Sequence, residues 1–178
     1  MVIFTLEELD QVLETFSPAQ CAVFAEYCIT ALEYNEHYSG CSLLVLGHEE
    51  KEIIIFWNKK FLRAGYREKR KITEKAAETI SFFLVKEMSE FSVVLEATIG
   101  TGFDYWLGYD EEHRLYDPLN FMKARLEISG INKETRDNTV KKRVEEKRSQ
   151  VKVSDSTNLP AYISVVELFT PKAAFEKK

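Results

Sequence analysis

Two acidic residues in strand-like surroundings, Asp104 and Glu127, are the side chains whose type and spacing best suit chemistry. Asp104 lies in Gly100-Thr101-Gly102-Phe103-Asp104-Tyr105-Trp106-Leu107-Gly108, and Glu127 lies in Arg125-Leu126-Glu127-Ile128-Ser129-Gly130. Both segments alternate with period two, yet each carries a carboxylate where a strand ordinarily has Thr or an apolar residue. Carboxylates on neighbouring strands provide oxygen ligands for a hard cation. Mg²⁺ and Mn²⁺ suit such a pair, because they keep several waters and need only one or two carboxylates plus substrate phosphate. The expected chemistry is phosphodiester hydrolysis. The competing expectation makes Asp104 an acid after a glycine bulge, either solvated or capping a backbone amide, and Glu127 an exposed strand residue paired with Arg125 or a cross-strand lysine.

Residues two apart on a strand share a face, so Arg125, Glu127 and Ser129 point one way while Leu126 and Ile128 enter the packing. Asp104 and Trp106 share a face opposite Phe103, Tyr105 and Leu107. If the two strands pair with these polar faces together, the carboxylates meet over one cation. Arg125 is then a candidate substrate contact, and Trp106 is placed either to stack on a base or to join the core.

The elements that must hold these residues follow from periodicity and punctuation. Helices are expected over residues 6–16 and 18–33, the second opened by the capping box Ser17-Pro18-Ala19-Gln20. β-Rich runs at 41–46 and 52–57 form a hairpin about Gly47-His48-Glu49-Glu50-Lys51. A basic stretch follows (Lys59, Lys60, Arg63, Arg67, Lys69, Arg70, Lys71), interleaved with Phe61, Leu62 and Tyr66. It suits a phosphate backbone, with Lys69, Arg70 and Lys71 as candidate substrate contacts, and suits somewhat better a solvated linker between two subdomains. A helix capped by Thr73 runs to residue 88, then strands come at 92–97, 103–109 and 124–129, a charged helix at 133–151 and a strand at 161–169. The Lys-rich end is expected to fray.

The 178 residues fit one domain, residues 1–70 forming a helical and hairpin elaboration and residues 73–170 the core. A formal net charge of −5 argues against broad affinity for nucleic acid or anionic membranes, so any nucleic-acid contact must be local. Cys21, Cys28 and Cys41 lack CxxC spacing and read as reduced thiols, and without a signal peptide or spanning segment the expected location is cytoplasmic. His37, His48 and His113 have no zinc-site spacing, and P-loop, G-x-G-x-x-G and G-x-S-x-G motifs are absent.

The order from residue 73 onward is helix, three strands, helix, strand, which predicts a mixed α/β sheet. With Asp104 and Glu127 in place, residues 73–169 resemble the PD-(D/E)xK nuclease superfamily, whose restriction-endonuclease-like core is αβββαβ. The resemblance implies Asp104 as the metal aspartate opening the second strand and Glu127 as the acid of the third. Glu78 or Glu96 matches the accessory acids, and Mg²⁺ or Mn²⁺ is the implied cofactor. The motif lysine is replaced by Ser129. Some members take that lysine from the next helix, where Lys141, Lys142 and Lys147 stand, with Lys141 or Lys142 expected to complete the catalytic set. Phe103 stands where a proline usually precedes the aspartate. The implied function is a nuclease in a mobile-element or defence setting, and the alternative is a non-catalytic nuclease-fold subunit with a protein partner or as a homodimer. An unrelated α+β interaction module is the third reading.

Overall fold

The computed structural model describes residues 1–47, 50–59 and 65–178. His48 and Glu49 of the hairpin turn, and Lys60, Phe61, Leu62 and Arg63 of the basic stretch, lie outside the described residues. The chain forms a mixed α/β fold around one eight-stranded sheet. The elements are β1 (Val2–Thr5), a 3₁₀ segment (Leu6–Gln11), α1 (Pro18–Tyr34), β2 (Cys41–Leu46), β3 (Lys51–Phe56), α2 (Lys69–Met88) and β4 (Ser92–Glu96). They continue with β5 (Tyr105–Gly108), β6 (Ala124–Ile131), α3 (Val140–Gln150), a second 3₁₀ segment (Val151–Thr157), β7 (Ala161–Glu167) and β8 (Lys172–Lys177). The strand order is β1-β3-β2-β8-β7-β6-β5-β4.

The expected helix, three strands, helix, strand order is present. β4, β5 and β6 pair antiparallel, and α3 makes the crossover that sets β7 parallel to β6. α1 opens as expected, Ser17 and Gln20 exchanging capping hydrogen bonds ahead of Pro18. Four expectations need correction. Residues 6–11 are 3₁₀, not α. α3 begins at Val140 rather than at 133, because Thr139 Oγ1 accepts from Lys142 N and Glu134 Oε1 from Val140 N. α2 begins at Lys69, because Glu68 supplies the capping carboxylate to Arg70 N; the Thr73 hydroxyl instead donates to Lys69 O four residues back. The C-terminal residues are ordered as β8, hydrogen-bonded between β2 and β7, and so join the N-terminal hairpin to the same sheet as the later strands.

The sheet is covered on both faces. Leu126 and Ile128 of β6 enter the core shared with α1 and α2, where Phe82 packs edge-on against Tyr105. Ile131, Ile163 and Val165 pack beneath Val140 and Val144 of α3. α2 lies so close to β6 that a Cβ on Gly130 would stand 2.6 Å from Thr73 O, a backbone atom. Gly130→Ala is therefore expected to cost about 1–2 kcal/mol by overpacking, read as a lower denaturation midpoint with unchanged m-value. Among the described residues no helix is long and apolar enough to cross a membrane, and Cys21, Cys28 and Cys41 are free.

Candidate metal and phosphate site

β5 pairs with β6 only from Tyr105↔Leu126 to Leu107↔Ala124, so the rest of β6 has a free edge on that side. Asp104 marks the parting. Its N–H donates to Leu126 O at 2.9 Å, while its Oδ2 accepts from Ile128 N at 2.7 Å, replacing the ladder bond that β5 no longer makes. Beyond it a slot of about 640 Å³ opens along the β6 edge. One wall is α2 (Lys69, Thr73, Glu78) and the other is the loop and helix carrying Asn138, Arg143 and Lys147.

The register places Asp104 beside Glu127, on the face that α3 covers, as the alternation predicts. Glu127 is 1% exposed, and its Oε1 accepts from Lys147 Nζ at 2.5 Å and from Gln150 Nε2 at 2.9 Å. Its Oε2 is buried without a donor among the described residues. Beside the Lys147 ammonium, the other charged group acting on Glu127 is Asp104, which when ionised can only accept. The two carboxyls therefore rest together only through a shared proton or a shared cation. Burial, then the Asp104 charge, pushes Glu127 up to about 7 against the pull of Lys147, and burial raises Asp104 as well.

Glu78 of α2 reaches the same place. Its Oε2 accepts from Tyr105 Oη at 2.7 Å and from Lys75 Nζ at 2.8 Å, and burial raises its pKa, with Asp104 adding to the rise. Among the described residues no group of three or more His, Cys, Asp or Glu side chains is set to hold a metal ion. The Asp104–Glu127 pair alone fits a cation that keeps most of its waters, and the orphaned Oε2 is the position such an ion would satisfy.

The other expected site residues separate. Lys147, not Lys141 or Lys142, meets Glu127. Lys141 is exposed, and Lys142 Nζ donates to Arg136 O, because these two residues fall on the solvent side of the α3 turn that buries Val140 and Val144. Lys147, three residues after Val144, falls on the inner face; the i, i+3 spacing from Val144 was the signal for it. Glu96 ends β4 with an exposed side chain and borders a smaller cavity that also touches Glu78 and Asp104. Arg125 is 3% exposed and is no surface contact. Its guanidinium donates to Ser154 Oγ and Leu159 O, both at 2.6 Å, and fastens the second 3₁₀ segment to the sheet. Trp106 packs edge-on against Phe103 at 4.6 Å and is half-buried. Lys69 and Arg70 line the slot, whereas Lys71 is exposed in the first turn of α2 and does not.

No family model, curated protein or solved structure matches this chain.

At Ser129, where the resemblance leads one to expect lysine, Arg143 Nη1 donates to the hydroxyl at 3.3 Å. Arg143 and Lys147, one α-turn apart, thus bring two cations from α3 to the β6 edge. Lys147 is one of the three lysines the resemblance offers on this helix, whereas Arg143 carries no sequence signal for the site.

Proposed function

We propose that this protein is a metal-dependent phosphodiesterase acting on nucleic acid, with Asp104 and Glu127 holding Mg²⁺ or Mn²⁺ and Lys147 serving the reacting phosphate. The observation that carries the reading is the pair of half-buried Asp104 and buried Glu127, with its orphaned oxygen and its lysine, behind a slot that Asp104 and Lys147 line. A bound ion would supply Lewis acidity toward the scissile phosphate and ease deprotonation of the attacking water. Lys147 exchanges its bond to Glu127 for one to a phosphate oxygen and neutralises charge gathering there. The Ile128 amide, with Glu78 alongside, keeps Asp104 aimed into the slot. The αβββαβ order and the acid positions support kinship with the PD-(D/E)xK nucleases, with the lysine carried on α3. Lys147 holds the Glu127 oxygen that a cation would need, and this favours a second reading, a nuclease fold that binds a partner without cutting.

The deciding experiment titrates Mn²⁺ by calorimetry and assays cleavage of labelled DNA and RNA with Mg²⁺ or Mn²⁺. Wild type is expected to give saturable heat and metal-dependent cleavage, and Asp104→Asn to lose both while remaining folded. No heat, with or without nucleic acid, and no cleavage would turn the assignment to the binding subunit.

A further inference from the structure

Beyond the carboxylates the slot continues along β6 toward Asn132, and its lining changes from acceptors to donors. Ser129 is 8% exposed. Its oxygen accepts from Arg143, and its hydroxyl proton goes to no described residue. Asn138 Oδ1 accepts from Arg143 Nη2 at 2.7 Å, and its side-chain Nδ2 donates to no described residue. Strand alternation turns the Gly130 N–H to the same side as that of Ile128, into the slot and past the end of β5. Lys69 makes no ion pair with any described residue. The Glu74 carboxylate at this end is bound to Arg70.

α2 points to the same ligand. Its first turn carries Lys69, Arg70 and Lys71 and no acid, although the N-terminal end of a helix disfavours positive charge. The Glu68 carboxylate caps the helix end itself, and an anion between this turn and Arg143 would meet the lysine, the strand amide and the serine together. Arg143 precedes Lys147 by four residues, about 6 Å along the helix axis, a step comparable to that between neighbouring phosphates of one strand. A slot of about 640 Å³ holds a ligand of drug size, which a strand segment of one or two nucleotides matches and a duplex does not.

We infer that the outer end of the slot is a subsite for a second phosphate, so that the substrate is a single nucleic-acid strand gripped at two successive phosphates. One lies beside Asp104 and Lys147, the other among Ser129, Gly130, Arg143 and Lys69. This inference rests on the phosphodiesterase reading for the first phosphate only. Arg143 and Lys69 are positioning residues in it.

The test has two arms. In the first, 5′-phosphorylated dithymidine is titrated into isotope-labelled, metal-free protein, and the Gly130 amide and Arg143 guanidinium resonances are followed by NMR. Both are expected to move together and saturate, with affinity falling about tenfold or more in Arg143→Gln, as for loss of a hydrogen bond to a charged group. Lys69→Gln, at an exposed position that folding does not need, is expected to weaken binding as well. In the second arm, a single strand and a blunt duplex of the same sequence are offered with Mn²⁺. The single strand is expected to be cut preferentially, with KM rising in Arg143→Gln and kcat nearly unchanged. Shifts confined to the Asp104 end, or equal cleavage of strand and duplex, would overturn the inference. Saturable shifts at Gly130 and Arg143 without cleavage under any metal would uphold the phosphate subsite and sink the hydrolase reading alone. Cleavage without those shifts would do the reverse.

Discussion

Lys147→Ala is expected to lower the turnover of metal-dependent cleavage by about 10²–10³-fold, the cost of removing one preorganised charge from a developing anion. Lys141→Ala and Lys142→Ala are expected to stay within about twofold of wild type, as for exposed positions away from a site. The difference follows from the turn of α3. Val140 and Val144 set its inner face, Lys147 lies on that face against Glu127, and Lys142 is spent on Arg136 O at the helix start. Metal binding separates a catalytic lysine from a structural one. In the metal-free protein Lys147 competes with any cation for the Glu127 oxygen, so Lys147→Ala is expected to bind Mn²⁺ at least as tightly as wild type while losing turnover. Lys147→Arg retains the charge but replaces a compact ammonium with a planar fork, and recovers only part of the rate. If turnover survives in Lys147→Ala, the lysine serves the buried carboxylates alone.

The part of this site that is local in sequence was legible, and the part that depends on where strands stop was not. Period-two alternation gave the shared face of Arg125, Glu127 and Ser129, and the pairing of Tyr105 with Leu126 brings Asp104 to Glu127 as alternation implies. What alternation does not report is strand length. β5 ends pairing at Tyr105, and that early end opens the slot, frees the Gly130 edge and hands Ile128 N to a side chain. Arg125 shows the same limit in the other direction. It shares its face with Glu127, but the 3₁₀ segment after α3 folds over it, so a residue that reads as a substrate contact is a buried fastener. β8 was missed because its alternation is brief and its lysines suggest a frayed tail. Lys172 in fact reaches Glu134 and Lys178 reaches Asp155, so these charges anchor the strand at its two ends. The lysine on α3 needed one further step, phasing the helix from Val140 and Val144, which separates Lys147 from Lys141 and Lys142 by their angles around the axis.

Glu127→Gln is expected to stabilise the metal-free protein at pH 8 and to abolish its stabilisation by Mn²⁺, so that the ranking of the two proteins reverses when metal is added. Burial and the Asp104 charge raise Glu127 from the ordinary 4.5 to about 7. Between these values the folded chain holds a proton that the unfolded chain has released, so this group's contribution falls as pH rises through the window and levels off above it. The amide cannot ionise and escapes that loss, while its Oε1 still accepts from Lys147, which then pairs with Asp104 alone. A gain of the order of 1 kcal/mol at pH 8, about 2–4 °C in Tm for a chain of this size, should shrink toward zero near pH 5. Wild type saturated with Mn²⁺ at a hundredfold above Kd gains about 2.7 kcal/mol, and the variant, with one carboxylate left, gains little. Thermal scans at pH 5 and pH 8, with and without Mn²⁺, give all four quantities. A variant less stable than wild type at pH 8 would mean that the Lys147 ion pair outweighs the carboxylate repulsion. A Mn²⁺ shift retained in the variant would mean that the cation is held elsewhere. Only the crossing of the two curves requires that the same two oxygens both repel in the empty site and bind in the filled one.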